Sequence, residues 1–282
     1  MIRPSRHGDE VALQHLWHVA FGDPPETTAY FFAELYKPGT ATVWEADGTV
    51  VSAIYCLDAG MTSMPDSSLL RRTAYAYALA TLPAYRGQGI GGQVTKAAIQ
   101  ASFEAGFDCN LICPAEAGLF SYYEKLGYCT ILQIAEMEIS PRGEVDIPIV
   151  KNIMSIDIAA YCKRRLPLLP TGATIMPDAY FRYVAHTCDS ASGGLYHLEL
   201  EGQAICAAVS LQDNQLFVRE ILPAPSARSG TQALMAHLGA TSALLRTPAA
   251  ADTPGARPFV LAAAPADNPL PKFDGYFPFV LD

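Results

Sequence analysis

From residue 5 to residue 20 the apolar residues Val11, Leu13, Leu16, Trp17, Val19 and Ala20 recur at helical spacing, and Gly22 with Pro24-Pro25 stops them. A second helix is predicted over 26–36, rich in rings (Tyr30, Phe31, Phe32, Tyr36) and closed by Pro38-Gly39. Residues 40–45 and 49–57 flank an Ala-Asp-Gly turn at 46–48 and read as a β-hairpin. Residues 73–81 alternate strictly, with Thr73, Tyr75, Tyr77, Leu79 and Thr81 on one face and Ala74, Ala76, Ala78 and Ala80 on the other, so one face is built for close approach.

A glycine-rich turn over 83–89 then opens a helix to about Ala105, with Ile90, Val94, Ala97 and Ala101 on its apolar stripe and Gly106 at its end. A buried strand over 107–113, a helix over 114–126 ended by Gly127, and a long strand or strand pair over 128–139 complete a first domain, 1–142. Residues 143–176 read as a connector, helical over 147–165 and a proline- and glycine-rich loop over 167–177. The last stretch, 177–282, repeats the first in outline. Leu198-Glu199-Leu200-Glu201-Gly202-Gln203-Ala204 resembles Trp44-Glu45-Ala46-Asp47-Gly48-Thr49-Val50, and Ile221-Leu222-Pro223-Ala224 parallels Thr81-Leu82-Pro83-Ala84, again before a helix, here 231–238. Two matches in the same order suggest a duplicated domain.

The 282 residues suit two domains, and half of them are apolar with only 17% charged, which excludes a disordered chain. With 19 Lys+Arg against 28 Asp+Glu the net charge is −9, the wrong sign for neutralising many phosphates, so no nucleic-acid partner is expected. No run approaches a membrane span and the first ten residues are too polar for a signal peptide, so a cytoplasmic protein without a membrane partner is expected. The seven cysteines are odd in number and scattered, which favours free thiols over a disulfide framework, and neither Cys109 with Cys113 nor His15 with His18 has the further ligands a metal site needs.

The chemistry concentrates in Arg86-Gly87-Gln88-Gly89-Ile90-Gly91-Gly92, between a predicted strand and a predicted helix. A Walker-type loop fails, because no Gly-Lys-Ser/Thr follows the glycines. A dinucleotide fingerprint fits Gly87, Gly89 and Gly92 but not the context, since four residues separate it from the strand and Asp108 begins the next strand rather than ending it. Glycines at a helix start let successive N–H groups approach a pyrophosphate, and the helix dipole favours its charge.

The run Leu82-Pro83-Ala84-Tyr85-Arg86-Gly87-Gln88-Gly89-Ile90-Gly91, followed by Phe120-Ser121-Tyr122-Tyr123-Glu124-Lys125-Leu126-Gly127-Tyr128, resembles the GNAT acyltransferases over roughly residues 1–140. The resemblance implies an α+β fold with a mixed, mostly antiparallel sheet flanked by helices, here in two tandem copies. It implies acetyl-CoA as acyl donor, held by the backbone of Leu79, Ala80 and Thr81, by Arg86, Gly87, Gln88, Gly89, Ile90, Gly91 and Gly92, and near Pro114 and Ala117. Tyr123 occupies the position of the general acid that protonates the CoA thiolate; a helix turns about 100° per residue, so only one of Tyr122 and Tyr123 can point at the sulfur.

The acceptor implied is a small-molecule primary amine meeting the first two helices. For the general base Asp58, Tyr75, Tyr77, Glu136, Glu138 and the terminal carboxylate of Asp282 all stay open. The second copy lacks the Gly-x-Gly and has Pro225 where an N–H is needed, so it is expected not to bind CoA. Its Tyr161-Cys162-Lys163-Arg164-Arg165 run reads as a solvated helix end, with the CoA 3′-phosphate as the alternative contact. A non-catalytic acyl-CoA-binding or sensing module, an NAD-dependent oxidoreductase and a homodimer remain alternatives for the measurements to separate.

Overall fold

The computed structural model describes residues 1–63, 70–140, 150–270 and 276–277. The first half runs β1 (Ile2–Pro4), α1 (Glu10–Phe21), α2 (Pro25–Glu34), β2 (Ala41–Ala46), β3 (Thr49–Ser63), β4 (Leu70–Thr81), α3 (Ile90–Glu104), β5 (Cys109–Ile112), α4 (Ala117–Glu124) and β6 (Cys129–Ile139). The second runs β7 (Val150–Ser155), α5 (Ile158–Arg165), β8 (Thr174–Ile175), α6 (Asp178–Ser190), β9 (Gly194–Leu200), β10 (Gln203–Gln212), β11 (Gln215–Leu222), α7 (Ala227–Leu238), β12 (Ser242–Ala249) and β13 (Arg257–Ala263).

Local chemistry accounts for the ends of these elements. Gly22 takes φ 72° after α1 and its N–H donates to the His18 carbonyl, a left-handed helix stop. Pro25 opens α2, where its missing N–H would have had no helical partner. The β2–β3 turn places Asp47 and Gly48 at φ 49° and 78°, and the β9–β10 turn repeats this with Glu201 and Gly202 at 49° and 84°.

The strands form one sheet in the order β1-β2-β3-β4-β5-β13-β6-β12-β11-β10-β9-β7, with β8 pairing off the path with β3. Its pairings are antiparallel except β4 with β5 and β11 with β12. The order reads nearly the same from either edge, and its centre is exchanged. β13, late in the chain, lies between β5 and β6, whereas β6 pairs only with β13 and β12 of the second half. A boundary near residue 142 therefore divides the sequence but not the sheet.

Aromatic packing joins the halves. Trp17 of α1, Phe31 of α2, Tyr55 and Tyr75 of the sheet, and Tyr180 and Tyr183 of α6 share one buried cluster. Truncating Phe31, which is fully buried, would cost roughly 3–5 kcal/mol. On the other side, α3 and α4 cover Ile54, Ala76, Ile112 and Leu261 with Ile90, Val94, Ala98 and Tyr123, while α7 packs Leu234 on Leu216 and Leu245.

Several expectations need correction. The predicted first helix starts only at Glu10, because Ile2–Pro4 pairs with β2 and the Asp9 carboxylate is held by Arg3 at 2.7 and 2.9 Å and by the Arg6 N–H at 2.8 Å. Among the described residues of the connector the α-helix covers Ile158–Arg165, extended by a 3-10 turn over Leu166–Leu168; Val150–Ser155 is a strand, drawn out along the edge of β9. The loop expected over 167–177 contains β8, which pairs with Met61 and Thr62. The end of α5 is solvated only in part: Lys163 and Arg164 are exposed, whereas Tyr161 is fully buried and Arg165 forms a buried ion pair with Glu220 at 2.7 Å. Pro141, Arg142, Gly143 and Asp282 lie outside the described residues.

Candidate active site

The site begins where β4 and β5 part. They pair in parallel only from Thr73 with Cys109 to Ala76 with Ile112, and beyond Ala76 the β5-facing edge of β4 has no partner strand among the described residues. A bulge lies at this point. Tyr77 faces Tyr55 and Ala80 faces Ala53 on β3, so β4 carries one residue more than its neighbour, and Ala78 takes φ 51°. A non-glycine residue in that conformation is strained, and a bulge re-aims the backbone on either side of it. Ser52 fixes the end of the strand, its hydroxyl donating to the Ala80 carbonyl at 2.8 Å and meeting Thr81 Oγ1 at 2.9 Å.

The chain then turns through Pro83–Tyr85 into the glycine loop. Arg86, exposed, donates from Nε to the Thr81 carbonyl at 2.9 Å, tying the loop to the strand. The four glycines divide into two pairs. Gly87 and Gly89 take φ 78° and 74° with open space where a Cβ would stand, so conformation is what they supply. Gly91 and Gly92 supply room: a Cβ would meet the Tyr122 hydroxyl at 3.3 and 3.6 Å respectively. Gly89 caps α3 without any side-chain cap bond, which leaves the N–H groups of Ile90, Gly91 and Gly92 without intrahelical acceptors, while Gln93 already bonds the Gly89 carbonyl at 3.2 Å. Ile90 contributes only its backbone here, because its side chain is buried among Val94 and Tyr123.

Tyr122 and Tyr123 of α4 meet edge to face, with ring centroids 5.0 Å apart. The Tyr122 hydroxyl lies against the start of α3. Tyr123 is buried in the cluster that includes Ala76 and Ile112, the last paired residues of β4 and β5. Burial, with Tyr122 beside it, pushes its phenol well above the ordinary tyrosine value. Its ring meets that of Tyr128 at 5.8 Å, and Tyr128 is fixed in turn by donating to Asn110 Oδ1 at 2.7 Å. Pro114 is buried and Ala117 exposed at the start of α4.

The candidate bases do not converge. Asp58 is exposed and bonded to Arg72 at 2.9 Å, and it faces Ala74 rather than the open edge of β4. Glu136 is shared by Arg246 and Arg257 at 2.8 and 2.7 Å, and these guanidinium groups hold its carboxyl below the usual range, with Arg257 the larger influence. Glu138 is exposed opposite Leu244. Tyr75 is buried between Tyr77 and Phe277, at 5.7 and 5.1 Å. Tyr77 is half-buried next to the bulge, against Trp17 at 5.7 Å and Phe31 at 5.6 Å.

Of the aromatic residues over 30–36, Phe31 and Tyr36 are core, and Tyr30 stacks on His186 of α6 at 4.0 Å. The second half reaches this region through α6. Tyr183 lies 5.8 Å from Phe31, and its phenol, raised to about 12 mainly by burial, is partly relieved by the hydroxyl of Tyr77. No local signal in the sequence marks that contact.

Comparison with known proteins bears on this geometry. Residues 1–131 match the model of the GNAT acetyltransferase domain. Over that stretch the chain resembles a GNAT acetyltransferase domain. No curated protein matches the sequence. Solved structures resemble it in fold over nearly the whole chain. An Enterococcus faecalis protein described as a probable N-acyltransferase is 16% identical with a TM-score of 0.67, covering 94% of this chain and 72% of its own. Eis1 of Mycobacterium abscessus is 16% identical with a TM-score of 0.68, covering 94% and 73%. A putative acetyltransferase of Pyrococcus horikoshii is 13% identical with a TM-score of 0.58, covering 98% and 94%. Among the described residues no helix is long and apolar enough to cross a membrane, and no group of three or more His, Cys, Asp or Glu residues could hold a metal ion.

Proposed function

We propose that this protein transfers an acetyl group from acetyl-CoA to a primary amine of a small molecule. The observation that carries the reading is the fork between β4 and β5, which ends directly in an exposed glycine loop at the start of α3. The unpaired edge over 79–81 can accept the pantetheine arm as an added strand, and the N–H groups over 87–92 can take the pyrophosphate. In this reading the amine nitrogen attacks the thioester carbon, the C–S bond of the tetrahedral intermediate breaks, and Tyr123 gives its proton to the departing thiolate. A phenol pushed upward by burial remains protonated throughout neutral pH and is in the state an acid requires. For the proton lost by the amine, Tyr77 beside the fork is better placed than Asp58 or Glu136, both engaged by arginines.

The second half is read as a degenerate copy of the first. The repeated turn chemistry at Asp47-Gly48 and Glu201-Gly202 and the matching parallel pairs support this. The test is calorimetric titration with acetyl-CoA, CoA and NAD, followed by thiol release with a panel of amines. Acetyl-CoA is expected to bind the wild type and not Gly89→Glu, with turnover on at least one amine. Binding of NAD alone overturns the reading, and acetyl-CoA binding without turnover on any amine favours a sensing module.

A further inference from the structure

Hydroxyl groups gather where β4 passes into α3, and their protons can be followed one by one. Ser52 gives its proton to the Ala80 carbonyl at 2.8 Å, so in its contact with Thr81 at 2.9 Å the donor is Thr81. Thr95, buried in α3, gives its proton to the Gly91 carbonyl at 2.8 Å. The oxygens of Thr81 and Thr95 are left to accept at this corner. Tyr122 of α4 adds a hydroxyl whose proton is committed to no carbonyl. Its polar neighbour is Thr95, which partly offsets the upward push of burial on the phenol. Because the Thr95 proton is already spent, Tyr122 is the donor of that pair.

Two glycines make room for this hydroxyl. A Cβ on Gly91 would lie 3.3 Å from it and one on Gly92 3.6 Å, and the same Gly91 position faces Thr81 Oγ1 at 3.6 Å and Leu79 Cδ2 at 3.8 Å. Gly91 and Gly92 have ordinary helical conformations, so what their lack of a side chain provides is space, and Tyr122 fills it. The half-buried Tyr122 thus brings its hydroxyl between Leu79 and Thr81 of β4 and the start of α3, whose first amides have no intrahelical acceptors. Those two stretches are the ones the acetyl-CoA reading gives to the pantetheine arm and to the pyrophosphate.

We propose that Tyr122 turns its proton from Thr95 to the ligand and donates it to the phosphate next to the pantetheine arm, which makes it a determinant of acyl-donor affinity. The inference rests on the acetyl-CoA reading and adds a residue to that same site. A hydroxyl facing a charged acceptor makes one of the stronger hydrogen bonds, so its loss is measurable. The test is calorimetric titration of the full chain with CoA, together with the phosphorus-31 spectrum of the bound ligand. Tyr122→Phe keeps the ring against Tyr123 and removes the donor. It should melt cooperatively, bind CoA about tenfold more weakly than the wild type, and shift one of the diphosphate resonances. Gly91→Ala, whose methyl presses on the hydroxyl, should also weaken CoA in the wild type and add less than about twofold in the Tyr122→Phe background. CoA affinity within about twofold of wild type in Tyr122→Phe overturns the proposal, as do diphosphate resonances that do not move or losses that add in the double variant. A wild type that fails to bind CoA overturns the acetyl-CoA reading itself, and this inference with it.

Discussion

The two parallel strand pairs of the sheet, β4–β5 and β11–β12, separate alike and continue differently. Both pair over four residues, both carry a bulge on the first strand, and both first strands end at Leu-Pro. After β4, Gly87 and Gly89 take left-handed conformations in an exposed loop and leave amides open at the start of α3. After β11, Ser226 and Ala227 at the start of α7 are buried, and the Ser226 hydroxyl donates to Gln203 at 2.5 Å. Glycine near that helix start has another use as well: a Cβ on Gly230 would lie 2.8 Å from Ile221 Cδ1, so its absence lets α7 sit tightly on β11. One strand geometry is thus followed by exposed amides in the first half and by a buried helix start in the second.

The largest expected effect lies in the second fork. Glu220→Ala strands the buried Arg165 and should cost about 3–5 kcal/mol, read by thermal or denaturant unfolding; a loss below about 1 kcal/mol would mean that water reaches the pair. In the first fork, Tyr123→Phe should lower kcat on the order of 10²-fold with acetyl-CoA affinity unchanged, and the wild type should show no alkaline loss of rate from this group below about pH 10. Equal losses of affinity and turnover would assign Tyr123 to packing. Gly89→Ala forces an L-residue to φ 74° and should destabilise by about 1–2 kcal/mol, whereas Gly230→Ala acts through the contact with Ile221, so only the former should also weaken acetyl-CoA.

A smaller effect separates the edges of the sheet. Arg3, through its hydrogen bonds, holds the Asp9 carboxyl below its usual value; the stabilisation is complete above the unfolded value of about 3.9 and is lost as pH falls through the lower folded value. Asp9→Asn should therefore flatten the acid limb of stability against pH. Ala78→Gly relieves a left-handed residue at the cost of unfolded-state entropy, and its melting temperature should move by less than the equivalent of about 1 kcal/mol.

Much of the first half was legible because its signals are local. The alternation over 73–81, the four glycines and the Tyr122-Tyr123 pair each declare an element or a site within a few residues. β1 escaped because three residues carry no period, and β7 because an edge strand takes its conformation from β9. The place of β13 between β5 and β6, the reach of Tyr183 to Phe31, and the closure over Glu220 depend on residues more than 50 positions apart. No pattern within a window carries that information.

The exchange of β6 and β13 also sets an order of events at the ribosome. When β6 has emerged, the slot beside β5 is still vacant, and the strand that fills it, Arg257–Ala263, is synthesised more than a hundred residues later. At roughly 5–20 residues per second the nascent first half waits on the order of ten seconds with an unfilled sheet edge. A chain released before residue 257 lacks a strand that packs Leu261 into the cluster containing Tyr123. Completion of the first half's sheet thereby waits for residues 257–263, and genetic fission of the halves would separate each from a strand seated in the other.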